Sequence, residues 1–289
     1  MTTLRQHFIE LLQSRGISRH TQTTYVRAVR QLADHVQKSP VEISEDELRR
    51  YFLHVKNECH WSRASMTQAI CGIKRFFEQT LRREWRILDV VRPPKEKRLP
   101  VILTKEEVRQ ILSSVRLLRY RACLTLIYAC GLRIKEALHV QVPDIDKARM
   151  LLHVRLGKGG KDRVVYVSKD AVKALVAYLK IRPKSGSKYV FLVSKGPYRG
   201  QPLSIRSIQK RMRYHARKAA LNASCHHLRH TMATQMLNAG ADLATIQDLL
   251  GHSSITTTQR YCTVSNLKVQ TDYFKAMEKV MDRTNENRP

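Results

Sequence analysis

A third of the way along the chain, the run Arg92-Pro93-Pro94-Lys95-Glu96-Lys97-Arg98-Leu99-Pro100 carries three prolines and a knot of charge. Proline lacks an amide proton and clashes with the turn before it, so no helix or central strand passes through such a run; it reads as an extended, semi-rigid strap. The strap is expected to act as a linker over 92–100, dividing the 289 residues into a segment 1–91 and a segment 101–289, each long enough for its own core.

Before the strap, apolar residues recur at helical spacing: Tyr25, Val29, Leu32 and Val36; Leu48, Phe52 and Val55; Met66, Ile70, Ile73, Phe77 and Leu81. With the amphipathic stretch Met1–Gln13 they predict four helices. Ser18, the box Ser44-Glu45-Asp46-Glu47 and Ser62 supply the N-terminal caps. The polar faces carry Arg19, His20, Arg27, Arg30, Arg63, Lys74, Arg75, Arg82 and Arg83, more cations than solubility requires. After the strap, Thr104-Lys105-Glu106-Glu107 is a second capping box, and an apolar helix through Leu124, Ile127 and Tyr128 stops near Gly131. Met150–Leu156 and Arg163–Val167 are β-rich runs around the turn Gly157-Lys158-Gly159-Gly160-Lys161-Asp162, the pattern of a hairpin. Helices resume after Ser168, Ser204, Cys225 and Asp242. The fold class is therefore mainly α with a small β-sheet.

Charge narrows the partner. Lys and Arg number 53 against 24 Asp and Glu, a formal net charge of +29, and such self-repulsion is most simply balanced by a polyanion. No run of 18 apolar residues offers a membrane span, and Met1–Gln13 lacks an apolar signal core, so a cytoplasmic protein is expected. The cysteines at 59, 71, 123, 130, 225 and 262 form no C-x-x-C pair, which fits reduced thiols and neither a disulfide framework nor a zinc ribbon.

A basic protein acting on phosphodiesters can use metal held by carboxylates or can stabilise charge with cations alone. Acids are sparse, and the close pair Asp144 and Asp146 sits in a loop-like Pro143-Asp144-Ile145-Asp146, so no metal site is expected. The cations are better organised. Arg133 follows the glycine that ends a buried helix, and Glu136 lies one helical turn on, placed to orient it. Lys158 sits among glycines at the hairpin tip. His226 and Arg229 are a turn apart on one helix. Leu249-Leu250-Gly251-His252 ends another helix, and Tyr261 follows nine residues later.

Taken in order, G-L-R-I-K-E, G-K-G-G-K-D-R, H-H-L-R-H and L-L-G-H with Tyr261 beyond resemble the tyrosine site-specific recombinases, most nearly the compact Xer-type and the phage or transposon integrases. The resemblance covers about residues 100–275. It implies an N-terminal SAM-like, core-binding helical bundle and an α+β catalytic domain with a C-terminal helix or tail. It also implies that Arg133, Lys158, His226, Arg229 and His252 line the active site, that Tyr261 is the nucleophile and that Glu136 supports them. Lys135, Cys225 and Tyr166 depart from the family's usual small residue, proline and proline, and none of these removes a reacting group.

The chemistry explains the residue types. A tyrosine with its ordinary pKa near 10 attacks only where its proton is accepted or its phenolate stabilised. Two guanidiniums, Arg133 and Arg229, can clamp the non-bridging oxygens with paired hydrogen bonds. Lys158 is the expected general acid for the departing 5′-oxygen, with Lys161 in the same turn as the alternative. His226 can accept or return the tyrosine proton, and His252 is expected to hydrogen-bond the phosphoryl group. A 3′-phosphotyrosyl bond conserves the energy of the broken linkage, so no cofactor, metal or ATP is implied. The implied partners are double-stranded DNA with inverted half-sites, three further copies of the chain in a tetrameric synapse, and accessory DNA-bending proteins; the implied location is the bacterial cytoplasm, at the nucleoid when bound. The tail after Tyr261, with Leu267, Val269, Tyr273, Phe274, Met277 and Val280, has helical spacing and docks on its own domain or on a neighbour. Two alternatives share these residues: a regulator that binds DNA without cleaving it, and a type IB topoisomerase-like enzyme.

Overall fold

A computed structural model describes residues 3–85, 101–155, 162–251, 258–259, 273–274 and 277. The strap 92–100, Lys158, Lys161, His252, Tyr261 and most of the tail lie outside the described residues. The chain divides into two compact units, Met1–Arg98 and Leu99–Pro289.

In the first unit four helices follow one another: α1 (Thr3–Ser14), α2 (Arg19–Val36), α3 (Glu45–Asn57) and α4 (Arg63–Arg75). Their starts are set by side-chain caps. Ser18 accepts from the Thr21 amide, Ser62 from the Ser65 amide, and Ser44 and Glu47 form the reciprocal box. The apolar stripes meet in one core containing Phe8, Leu12, Leu32, Leu48, Phe52, Ile73 and Phe77. A π-helical turn, Phe76–Thr80, extends α4. It turns Phe76 edge-on to Phe8 at 5.2 Å and lets Phe77 stack on Trp85 at 4.1 Å. Arg19, His20, Arg27, Arg30, Arg63, Arg82 and Arg83 remain on the exposed face.

The second unit contains α5 (Lys105–Ser114), α6 (Leu118–Ala129), α7 (Ile134–His139), α8 (Lys169–Lys180), α9 (Ile205–Lys218), α10 (Cys225–Asn238) and α11 (Leu243–Leu250). Thr104 and Glu107 form the box that opens α5. Helix α6 is the axis of the unit: Ala122, Cys123, Leu124, Leu126 and Ile127 are all buried, and α8 and α10 pack against it. Because these residues fall on more than one side of the helix, it has to be covered on several sides in this way. The sheet is antiparallel with order β1-β2-β3: β1 (Ile145–Asp146), β2 (Leu151–Val154) and β3 (Arg163–Tyr166). Leu151 pairs with Tyr166 and Val154 with Arg163, so the hairpin closes toward the glycine turn as its spacing predicts. Two local details differ from the sequence reading. Ile145–Asp146 forms a short edge strand where a loop was expected, because Ile145 and Asp146 pair with Leu152 and Leu151. The cap of α10 is Ser224, whose hydroxyl accepts from the His227 amide, which makes Cys225 the first helical residue. No described helix is long and apolar enough to cross a membrane.

Candidate active site

The site gathers where the end of α6, the start of α7, β3, α10 and the end of α11 converge. Gly131, at φ +59°, turns the chain out of α6 in a left-handed conformation that favours glycine; a Cβ there would also lie 2.2 Å from Met232 Cε and 2.8 Å from Leu250 Cδ2 and would push both side chains aside. The turn delivers Arg133 to the head of α7, with Glu136 in its first turn.

Glu136 is buried and sits at the centre of the cluster. Its carboxylate accepts the Arg133 amide at 2.9 Å and Arg133 Nη1 at 2.6 Å. It also accepts Arg163 Nη1 at 3.1 Å and Nη2 at 2.8 Å, and Arg229 Nη1 stands 3.8 Å away. Burial pushes this carboxyl up; hydrogen bonds from Arg163 and the Arg133 amide, the Arg163 charge and the Arg133 side chain outweigh it and hold the pKa at about 2.

The same three guanidiniums cap α11. Arg163 Nε donates to the Leu249 carbonyl at 2.9 Å, Arg229 Nη2 to the Leu250 carbonyl at 2.7 Å, and Arg133 Nη2 to the Gly251 carbonyl at 3.2 Å. The last carbonyls of a helix lack intrahelical donors and carry the negative end of its dipole, so they suit cations. Gly251 itself is left-handed, with φ +62° and ψ +50°. The chain therefore leaves a cation-held helix end immediately before His252.

Arg229 is 1% exposed, with Nη1 on the Gly131 carbonyl at 2.5 Å, deeper than its place one turn from His226 suggests. Arg133 is the more open, its side chain 25% exposed. The His226 ring lies 4.2 Å from that of His230, nearly perpendicular. Its pKa is lowered, first by burial and then by the charges of Arg229, His227 and Arg133, which favours the neutral ring that can accept a proton. The neighbouring His227 also has its pKa lowered, chiefly by burial.

The structure thus brings together Arg133, Glu136, His226 and Arg229. Lys158, His252 and Tyr261 lie outside the described residues. Arg163 was missed as a site residue, since it entered the sequence reading only as the start of a β-rich run and the last letter of G-K-G-G-K-D-R. The signal was its strand parity: Arg163 shares a face of β3 with buried Val165, and an arginine on the inner face of a strand must meet an acid or carbonyls. Asp144 and Asp146 are engaged elsewhere. Asp144 accepts Arg155 Nε at 2.6 Å and the Gln141 amide at 2.9 Å, and Asp146 accepts the Arg149 amide at 2.9 Å. Among the described residues no His, Cys, Asp and Glu side chains group as a metal site would require.

A second cationic surface lies on α9, where Arg206, Lys210, Arg213 and Arg217 are exposed along one face beside Tyr214. Arg211, on its inner side, lies over the Tyr120 ring at 5.0 Å.

Residues 102–267 match the Phage integrase family, and residues 4–87 match its N-terminal SAM-like domain. The chain is 33% identical over 279 residues to the tyrosine recombinase XerA of Pyrococcus horikoshii, covering 96% of this chain and 95% of that one. It is also 33% identical over 298 residues to XerC of Pelobacter propionicus, covering 96% of each. A crystal structure of XerA recombinase matches 95% of this chain and 98% of its own, at 28% identity and TM-score 0.56. At 18% identity the fold is shared with a lambda integrase tetramer bound to a Holliday junction, covering 90% of this chain and 76% of that one, at TM-score 0.73. On these grounds the chain belongs to the phage integrase family and is a tyrosine recombinase.

Proposed function

We propose that this chain is a site-specific DNA recombinase that cuts and rejoins strands through a 3′-phosphotyrosyl bond on Tyr261. The observation that carries this reading is the meeting of Arg133 and Arg229 around Glu136, with His226 beside them, inside a phage integrase domain. The Tyr261 oxygen attacks phosphorus as its proton passes to His226; the P–O5′ bond breaks, and the 5′-oxygen takes a proton from Lys158 or Lys161. Arg133 and Arg229 stabilise the charge that grows on the non-bridging oxygens, and loss of one such contact should cost ~10²–10³ in rate. His252, at the end of the cation-held helix, bonds the phosphoryl group. A 5′-hydroxyl from another duplex then attacks the phosphotyrosine and gives its proton to the same lysine, the P–O bond to Tyr261 breaks, and the phenol recovers its proton from His226. One phosphodiester replaces another, so no ATP is needed, and the guanidiniums supply the charge that a metal would otherwise supply.

Exposed cations of the first unit and of α9 bind the duplex backbone, each copy taking one of two inverted half-sites in a tetrameric synapse. The tetramer of lambda integrase on a four-way junction, built on the same fold, supports that assembly.

The test uses duplexes selected by binding from a random-sequence pool and rebuilt with a nick next to the cleavage site, so that the cut strand diffuses away. Wild-type protein should accumulate a covalent DNA adduct in EDTA, and Tyr261→Phe should bind the same duplex without forming one. Tight binding with no adduct would turn the reading to a regulator, and relaxation of any plasmid regardless of sequence to a topoisomerase.

A further inference from the structure

The cation cluster holds one arginine that this chemistry does not use. Arg163 opens β3 with its side chain 12% exposed, against 25% for Arg133. Its fork is committed to protein: Nη1 and Nη2 on the two Glu136 oxygens and Nε on the Leu249 carbonyl. Gly251 backs directly onto it, for a Cβ there would fall 3.1 Å from Nη1 and 3.2 Å from Cδ and Nε.

Building on the recombinase reading, we propose that Arg163 is a positioning residue for strand cleavage. It locks the Glu136 carboxylate, through Glu136 the Arg133 guanidinium, and through Leu249 and Gly251 the backbone from which His252 departs. The geometry is specific to a fork. One planar guanidinium reaches both carboxylate oxygens and a carbonyl together, whereas a lysine at this place is a single point charge that holds one of them. With the Arg163 bonds gone, the carboxylate is free to turn on α7, and Arg133 and the end of α11 lose their common reference. Misplacement of about an ångström at a reacting centre costs ~10²-fold in rate.

The experiment compares wild type, Arg133→Ala and Arg163→Lys on the nicked duplex, with the scissile phosphate either natural or replaced by a neutral methylphosphonate. Arg163→Lys should keep its duplex Kd within about threefold while its single-turnover rate at saturating DNA falls ~10²-fold. It should recover part of that loss on the methylphosphonate, as Arg133→Ala is also expected to, because a neutral phosphoryl group needs less of the clamp. A purely structural defect slows both backbones equally. Wild-type rate in Arg163→Lys, equal loss on both backbones, or loss explained by weaker binding would overturn the proposal. Arg163→Gln combined with Glu136→Gln removes both partners of the buried pair and guards against a folding failure. Since Arg163 acts through Glu136, the double variant should be within about threefold of Glu136→Gln alone, and a further ~10²-fold loss would overturn the proposal. A wild-type protein that forms no adduct refutes the recombinase reading instead, independently of how Arg163→Lys behaves.

Discussion

Replacing Glu136 by Gln keeps the shape of the hub and removes its charge, and the structure gives the size of the effect. The carboxyl pKa falls from 4.5 to about 2 in the fold, and the side chain is only 4% exposed, so solvent screens little of it. About 2.5 units at 1.36 kcal/mol each amount to about 3 kcal/mol. The charged form is favoured in the fold, so this stability is fully present above the unfolded pKa of 4.5 and is lost as pH falls through the folded value of about 2. Breaking a buried ion pair from one side costs about 3–5 kcal/mol, which agrees. Both tryptophans, Trp61 and Trp85, lie in the first unit, so their fluorescence does not report on this site. Amide exchange in peptides spanning 118–139 and 163–180 does. Glu136→Gln should lower the opening free energy of those peptides by about 3 kcal/mol at pH 7 and by less than half as much at pH 3. A difference that stays constant between pH 3 and 7, or stays below about 1 kcal/mol throughout, refutes the account of Glu136 as a charge held by arginines.

The lowered pKa of His226 places the acid limb of the cleavage-rate profile below pH 6.5, and Arg133→Ala should move that limb upward by removing a positive neighbour; adduct formation rates between pH 5 and 8 check both. Gly131→Ala should be more damaging than Gly251→Ala, since its Cβ would meet Met232 at 2.2 Å while that of Gly251 would meet Arg163 at 3.1 Å. Both also force alanine into a left-handed backbone at about 1–2 kcal/mol; the measurement is the melting temperature of each. If α9 tracks a duplex backbone, each of Arg206→Ala, Lys210→Ala, Arg213→Ala and Arg217→Ala should lower the slope of log affinity against log salt by about 1 and weaken different sequences alike, as read from binding titrations at several salt concentrations.

What the sequence made legible divides along physical lines. Helix starts were readable because Ser18, Ser44, Ser62, Thr104, Ser168, Ser204 and Asp242 act on donors three residues away, a local geometry that needs no tertiary information. That Glu136 sits one turn on to orient Arg133 was readable for the same reason, and the Arg133 amide does donate to it. Arg163 was not, because its partners are 27 and 86 residues away and strand parity alone cannot say what an inward arginine will meet. Nor could the burial of Arg229 be read from its helical position beside His226, since it depends on the Gly131 and Leu250 carbonyls brought in by other elements. The edge strand Ile145–Asp146 likewise exists only because β2 is there to pair with it.

Three guanidiniums crowded around one carboxylate would repel each other, and a single negative charge does not balance them. The remaining compensation comes from the end of α11, whose dipole contributes roughly half a negative charge and whose terminal carbonyls accept one donor from each arginine. That still leaves an excess of positive potential, and Arg133, the most open of the three, is where solvent reaches it and where, on the proposed function, a phosphodiester would. The excess is what a recombinase requires: an anion completes the charge balance that the fold leaves unfinished, and no arginine has to move from solvent to find it. It also explains why Glu136 cannot be dispensed with in favour of still more positive charge. Without it the guanidiniums would lose the acceptor that fixes their direction, and attraction for phosphate without direction gives binding but little rate.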